Sequence, residues 1–451
     1  MVYLVPIYRD FLFKKKYMLA LKKGNSKVLW AWAFYDWANS VYALVISSSI
    51  FPLFFGQLFR QKNIETISFF GSQKSGETII SYVTAFGFII IAFISPLLSG
   101  IADYMGNKKF FMKFFCYLGA VSCMLLYFFD LHNLYFGLCC YTLALIGYWG
   151  SLVFYNSYLP DIAHKEQQDS ISARGYSLGY VGSVILLVIN LAMVMLVPDD
   201  SKMQMMKYSF VLVGIWWLGF SQYTYYYLPN QQTGKKIHKD IVFKGFRELQ
   251  KVWKHIQMLA VLKRYLSAFF VYSMAVQTIM IIAAYFGEKE VDWGSSSART
   301  SGLIGSILLI QLIAVLGAYL TSKASTYFGN IKVLFVLNIM WILICIDAYF
   351  ISTPMDFYIA ACCVGLIMGG IQSLSRSTYS KLIPNEVVDT TSFFSFYDVS
   401  EKIGIVIGMF IYGFIADVTG KMQNAILFLI LFFAIGAVLL FRLLKIYKQT
   451  I

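Results

Sequence analysis

The sequence predicts an all-α membrane protein: about twelve transmembrane helices in two six-helix halves. Three observations carry this expectation. Hydrophobic residues make up 59% of the 451-residue chain and charged ones only 13%, where a soluble domain carries about 25% charged residues. Apolar stretches of roughly 20 residues, the length that crosses a bilayer as a helix, recur from one end to the other. The longest polar interval between them falls near the middle.

The spans begin near Val28, Ile79, Phe111, Leu134, Gly175, Met205, Leu266, Gly302, Ile331, Phe357, Phe393 and Asn424. A bilayer offers no water to satisfy backbone amides, so only helices and closed barrels cross it, and unbroken stretches this long exclude the barrel. The expected division is a basic N-terminal segment 1–27, a first half 28–228, a linker 229–264, a second half 265–444 and a tail 445–451. Six helices on either side of a linker, with both termini on one side, is the layout of the major facilitator superfamily, whose halves are parallel repeats.

The net charge of +14 raises the question of a polyanionic partner, and the distribution of the cations answers it. With a cytoplasmic N-terminus, 28 of the 37 Lys and Arg fall on the cytoplasmic side and 8 outside, and Lys402 lies within a helix. Such asymmetry is the positive-inside pattern. It predicts a multi-pass protein of the inner membrane with both termini in the cytoplasm and no need of nucleic acid. The first span follows six lysines and is too long for a cleavable signal; translation could start at Met1 or at Met18.

The seven cysteines, Cys116, Cys123, Cys139, Cys140, Cys345, Cys362 and Cys363, all fall in apolar spans, and the four histidines lie in loops or near helix ends. Neither set has the spacing of a disulfide framework or a metal site. No Walker-type glycine loop is present, so no nucleotide and no other cofactor is expected, and any uphill transport draws on an ion gradient. The chain is expected not to be an enzyme and to act as a monomer.

The linker carries Val242, Phe246, Leu249, Trp253, Ile256 and Ala260 at alternating four- and three-residue spacing, with Lys244, Arg247, Lys251 and Lys254 largely off that stripe. This predicts a basic amphipathic helix lying on the cytoplasmic leaflet. Weak repetition supports two halves. The fourth span ends in Leu159, Pro160 and Asp161, the tenth in Ile383, Pro384, Asn385 and Glu386; glycine-spaced helices follow, with Gly175, Gly179 and Gly182, then Gly404 and Gly408. Small residues let helices approach closely.

Between the second and third spans, Ser99 to Lys109 reads SGIADYMGNKK and is similar to the cytoplasmic loop signature of major facilitators. An acid, Asp103, beside a tight turn at Gly106 and cations beginning at Lys108 makes a latch that can break and re-form. Ser99 and Tyr104 depart from the signature, and a simple tight turn is the other reading. Gly413 to Gly420 matches about as well but ends the eleventh span on the outer side, so no latch role is assigned there.

Tyr35, Asp36, Trp37, Ala38, Asn39 and Ser40 in the first span, Tyr155, Asn156 and Leu159 to Asp161, Arg174 to Gly182, and Gly369 to Ser377 together resemble one branch of that superfamily. This is the bacterial and fungal family that includes the yeast autophagy-linked vacuolar amino-acid exporter. The resemblance covers nearly the whole chain and implies secondary transport of a small solute, with amino-acid efflux known for the fungal relative.

Asp36 draws attention without the family, because a carboxylate inside a bilayer costs a few kcal/mol or more and normally faces a cavity or a partner. Tyr35, Asn39 and Asn156 are further candidates for the solute or coupling site. Proton coupling would require Asp36 to bind and release a proton; the alternative is a permanently hydrogen-bonded structural acid. In the eleventh span Asp398 and Lys402, four apart, can neutralise each other. Glu401 is then left to seek a partner, for which Arg376 is the candidate; Arg376, Asp398 and Lys402 join Asp103, Gly106 and Lys108 as candidate gating residues, and a gating pair and a static pair stay open. Gln277, Gln311 and Gln372 could hold a polar solute or tie helices together. The alternatives to a solute transporter are a lipid or glycolipid flippase of the same fold and a membrane-embedded transferase, the latter poorly served by such short loops.

Overall fold

The computed structural model describes residues 23–230 and 241–450. Most of the basic N-terminal segment, Met18 and the front of the linker lie outside the described residues. Among the described residues, twelve long helices follow one another: α1 (Ser26–Gln61), α2 (Gly76–Met105), α3 (Lys108–Phe128), α4 (Leu134–Asn156), α5 (Lys165–Met195) and α6 (Asp199–Tyr227), then α7 (Ala260–Glu290), α8 (Ser296–Phe328), α9 (Asn330–Asp347), α10 (Pro354–Leu382), α11 (Thr390–Thr419) and α12 (Met422–Thr450). The linker helix, Ile241–Met258, stands between the sixth and the seventh.

Eleven of the twelve are long and apolar enough to cross a membrane. Helix α6 is the other; its apolar stretch is rich in Trp216, Trp217, Tyr223 and Tyr225, and aromatics with polar handles rank low on a hydropathy scale. It is nonetheless part of the bundle. Thr224 donates to the Ala31 carbonyl of α1 at 2.7 Å and Trp216 Nε1 to the Trp37 carbonyl at 3.1 Å. Helix α5 starts at Lys165 and α7 at Ala260, ahead of the expected Gly175 and Leu266. Thirty-one residues at 1.5 Å each give roughly 46 Å, more than the bilayer core needs, so both helices project beyond it.

Besides short 3₁₀ turns at Leu126–Phe128 and Leu131–Asn133, two features depart from an unbroken set of α-helices. Tyr42–Ile50 within α1 is π-helical; the Ser48 hydroxyl donates five residues back to the Ala43 carbonyl at 2.9 Å. Pro52 follows, and a proline in a helix removes one amide donor and crowds the preceding turn, which a wider turn relieves. After α1 comes a small hairpin, β1 (Thr66–Phe69) and β2 (Ser72–Ser75), antiparallel with Thr66 opposite Ser75. Its two-residue turn places Phe70 at φ 46° and Gly71 at φ 80°, as turns that match strand twist require.

The apolar core falls into two clusters, one drawn mostly from α1–α6 and one mostly from α7–α12. The glycine ridges lie where the halves repeat each other. Gly179 and Gly182 of α5 pack on Ser40 and Trp37 of α1, while Gly404 and Gly408 of α11 pack on Met274 and Thr278 of α7. Gly420, at φ 68°, ends α11 away from the linker.

The linker helix turns its apolar residues in two directions. Val252 and Ile256 are buried against the bundle, while Phe246 and Trp253, expected on the same stripe, are 52% and 47% exposed. The reason is close docking: Gly245 lies against Gly100 and Ile101 of α2, so the bundle takes one flank of the stripe and leaves the other open.

Candidate functional site

Gly106 closes α2 at φ 65°, its amide bonded to Ala102 and Asp103 carbonyls, and Asn107 N–H returns to Ala102 at 3.1 Å. This left-handed cap, which favours glycine, sends α3 straight back and leaves Asp103 at a helix end. Asp103 accepts the backbone N–H groups of Thr391 at 3.2 Å and Ser392 at 2.6 Å. It thereby caps the start of α11, where unsatisfied amides favour an anion. Lys108 completes the contact by pairing with Asp161 and donating to the Ser157 carbonyl at 3.1 Å and to Thr390 Oγ1 at 3.2 Å. The loop therefore bridges the two halves on the linker face.

A second bridge mirrors it. Asp169 at the start of α5 pairs with Lys381 at the end of α10. It also accepts from Ser325 at 2.9 Å and from Asn330 Nδ2 at 2.7 Å, at the α8–α9 junction. Exchanging the halves converts the α2–α3 turn meeting α11 into the α8–α9 turn meeting α5. Sequence reading missed Asp169 and Lys381; the repeat itself was the signal, had the Asp103 role been carried across it.

Deeper in the bundle Asp36 meets Arg376. Arg376 Nη1 and Nη2 each donate to Asp36 Oδ2 at 3.2 Å, and Tyr155 Oη donates to the same oxygen at 2.9 Å. The guanidinium also donates through Nε to Ser172 Oγ and through Nη2 to the Ser172 carbonyl, both at 2.9 Å, and through Nη1 to Asn156 Oδ1 at 3.3 Å. Its plane lies over the rings of Trp32, Tyr155 and Tyr176, 4.2–5.4 Å from their centroids. Four helices, α1, α4, α5 and α10, thus converge on one pair whose side chains are only 2% and 6% exposed. Gly175 makes the approach possible, since a Cβ there would stand 2.5 Å from Asp36 Oδ2 and 3.0 Å from Arg376 Nη2.

A second charged cluster lies on α11. Lys402 Nζ donates to Asp398 Oδ1 at 2.6 Å and to Glu401 Oε2 at 2.9 Å, and Gln277 Nε2 of α7 donates to Glu401 Oε1 at 2.8 Å. The ammonium stands 3.5 Å from the ring centroid of Trp149 on α4, a contact across the halves that sequence spacing did not reveal. Lys402 is 1% exposed. Between the two clusters runs a narrow cleft whose lining includes Tyr176, Tyr272, Gln277, Gln372, Tyr397 and Glu401.

Several expectations change here. Glu401 is not left alone, because Lys402 serves both acids, and Arg376 goes to Asp36 instead. Asp398 and Lys402 lie in this buried cluster, apart from the Asp103 and Lys108 bridge with which they were grouped as gating residues. Gln372 accepts from Tyr180 at 2.7 Å across the halves. Asn39 is buried and accepts from Ser40 at 3.3 Å. Tyr35 packs between Tyr155 and Tyr225, in the first half's aromatic core. Gln311 Oε1 is buried with no hydrogen-bond partner among the described residues, and the residue joins neither cluster.

The family profile described as "Vacuole effluxer Atg22 like" matches residues 24–448, almost the whole chain. This chain belongs to the Atg22-like family. The uncharacterized MFS-type transporter YxiO of Bacillus subtilis is 32% identical over 91% of this chain and 93% of its own length. Autophagy-related protein 22 of Eremothecium gossypii is 22% identical over 91% of this chain and 89% of its own. Among solved structures, the major facilitator transporter FucP in its outward conformation superposes with a TM-score of 0.66 at 16% identity, covering 92% of this chain and 98% of FucP. The fold is that of the major facilitator superfamily, and this Atg22-like chain is a multi-pass membrane transporter acting on a small molecule.

Proposed function

We propose that this protein moves an amino acid or a metabolite of similar size by alternating access, with efflux as the direction and protons as the coupling ion. The observation that carries the reading is the Asp36–Arg376 pair: a buried carboxylate whose charged partner belongs to the other half. In the arrangement described, the linker face is held shut by Asp103, Lys108, Asp169 and Lys381. Opening that face draws α10 away from α1, α4 and α5, and Asp36 must then part from Arg376. A bare carboxylate left there is costly. A proton on Asp36 cancels its charge and lowers that cost, so protonation favours the opened state.

The solute site in this reading is the cleft beside Tyr176. Gln277, Gln372 and the tyrosine hydroxyls supply neutral hydrogen bonds, and Glu401 a site for an ammonium. An amino acid presents an ammonium together with polar groups that such donors and acceptors hold. Residues 28–228 and 265–444 move as the two units, with 229–264 as their linker. In proteoliposomes carrying the purified monomer, an imposed pH gradient is expected to drive accumulation of such a solute, and a protonophore to abolish it. Accumulation indifferent to the protonophore would remove the proton from the scheme.

The same reading places the linker face in the cytoplasm of a bacterial-type inner membrane. Single new cysteines at Lys74, in the hairpin, and at Gln250, on the exposed side of the linker helix, are expected to react with a charged reagent from outside and only after permeabilisation, respectively. The opposite pattern would invert the topology.

A further inference from the structure

The linker helix has two faces, and the mechanism above uses neither. Its inner face touches both elements that Asp103 joins. Gly245 lies so close to α2 that a Cβ on Gly245 would stand 2.7 Å from Ile101 Cγ1. On the α11 side, His255 meets Phe393 at 5.7 Å between ring centroids; at the edge between the two faces, the partly exposed Trp253 meets Phe396 at 5.2 Å and the exposed Lys251 reaches Asp389 at 3.5 Å. Asp389 stands just before α11, two residues ahead of Thr391, the first of the amides that Asp103 caps. The Asp389 carboxylate, and Glu248 after it, holds the Lys251 ammonium above its ordinary pKa. A helix docked this closely to α2 and to α11 keeps both sets of contacts only while the two stand together.

Its outer face combines exposed cations with exposed apolar groups. Arg247, Lys251 and Lys254 are exposed on the helix, and Lys263 and Arg264 continue the row at the start of α7. Among them Phe243 is 72% exposed, Phe246 52%, Trp253 47% and Met258 76%. Glu248, the acid of the helix, is partly buried and paired with Lys251. Water is a poor environment for four such apolar side chains. Cations interleaved with aromatics at the rim of a bilayer-spanning bundle fit the boundary between anionic headgroups and acyl chains, where rings insert and cations meet phosphate or carboxylate.

We propose that this outer face seats on anionic lipid, and that the seating holds the linker helix in its docked position and so favours the closed linker face. Lipid charge thereby sets the balance between the two transport states. The proposal rests on the alternating-access reading for the existence of a second state. It requires the lipid to bind the docked helix better than the displaced one, because a ligand shifts an equilibrium only by its differential affinity.

The test uses the full chain in nanodiscs, with spin labels on Glu166→Cys and Glu386→Cys, two exposed positions on the linker face of opposite halves. Inter-label distances are measured in neutral phosphatidylcholine and with phosphatidylglycerol added. Phosphatidylglycerol is expected to raise the ratio of short to long distances about fivefold, equivalent to roughly 1 kcal/mol, the scale of one basic residue at an anionic surface. High salt should reverse much of the rise by screening, and the combined Arg247→Gln, Lys254→Gln, Lys263→Gln and Arg264→Gln variant should lose it. Two distance populations that ignore lipid charge in the wild-type protein overturn the proposal while leaving alternating access intact. A rise reproduced by inorganic phosphate in neutral discs overturns the assignment to lipid. A single distance under every condition, pH included, counts against the alternating-access reading itself. Should the fourfold variant not fold, the wild-type lipid and salt titrations decide alone.

Discussion

Arg376→Leu is expected to be among the most destabilising single substitutions in the chain. The arginine joins α10 to three helices of the other half through Asp36, Asn156 and Ser172 and is sandwiched among Trp32, Tyr155 and Tyr176. Its removal leaves Asp36 buried with Tyr155 as its remaining hydrogen-bond donor. Truncating one member of a buried ion pair typically costs on the order of 3–5 kcal/mol, mainly because the surviving charge is uncompensated. The paired Asp36→Leu and Arg376→Leu variant should recover much of the loss, since no charge is then stranded. Thermal unfolding followed by size-exclusion fluorescence compares the three proteins. A single Arg376→Leu variant as stable as the wild type would mean that the pair holds nothing together.

Composition made the twelve-helix fold readable, because bilayer thickness acts on the sequence one helix at a time. The glycine ridges were readable for a similar reason. Gly175, Gly179 and Gly182 on one helix and Gly404 and Gly408 on another had to be contact faces, and they are. Partners were harder. Asp36 stood out because its burial is expensive, yet spacing offered Arg376 to Glu401, on the next helix, while the actual partner lies 340 residues away. Which faces of α1 and α10 meet is decided by the packing of the two halves, to which no local pattern testifies. Lys402 shows the same limit: its i, i+4 link to Asp398 was legible, its place on Trp149 was not. The linker helix was recognised from its period, but only docking through Gly245 explains why half of its stripe faces outward.

Asp36 carries the central claim, that an acid bridging the halves couples a proton to their separation. Asp36→Asn keeps the size of the side chain and an oxygen that can accept from Tyr155 and Arg376, and Arg376, though without its counter-charge, keeps Ser172, Asn156 and three aromatic rings, so folding should survive at a lower melting temperature. The amide imitates the protonated acid permanently. Reorientation then no longer depends on a proton, and exchange of solute across the membrane should persist. Net uphill movement requires the acid to bind a proton on one side and release it on the other, which asparagine cannot do. Were Asp36 only a structural tie, asparagine would be mild in every transport assay, and Asp36→Leu would act through expression and melting temperature instead. The direct measurement is gradient-driven accumulation and solute exchange by Asp36→Asn, side by side with wild type in the same proteoliposomes. Exchange near the wild-type rate with accumulation abolished is the predicted result; accumulation retained in full would contradict the claim and move the search for the coupling acid to Glu401.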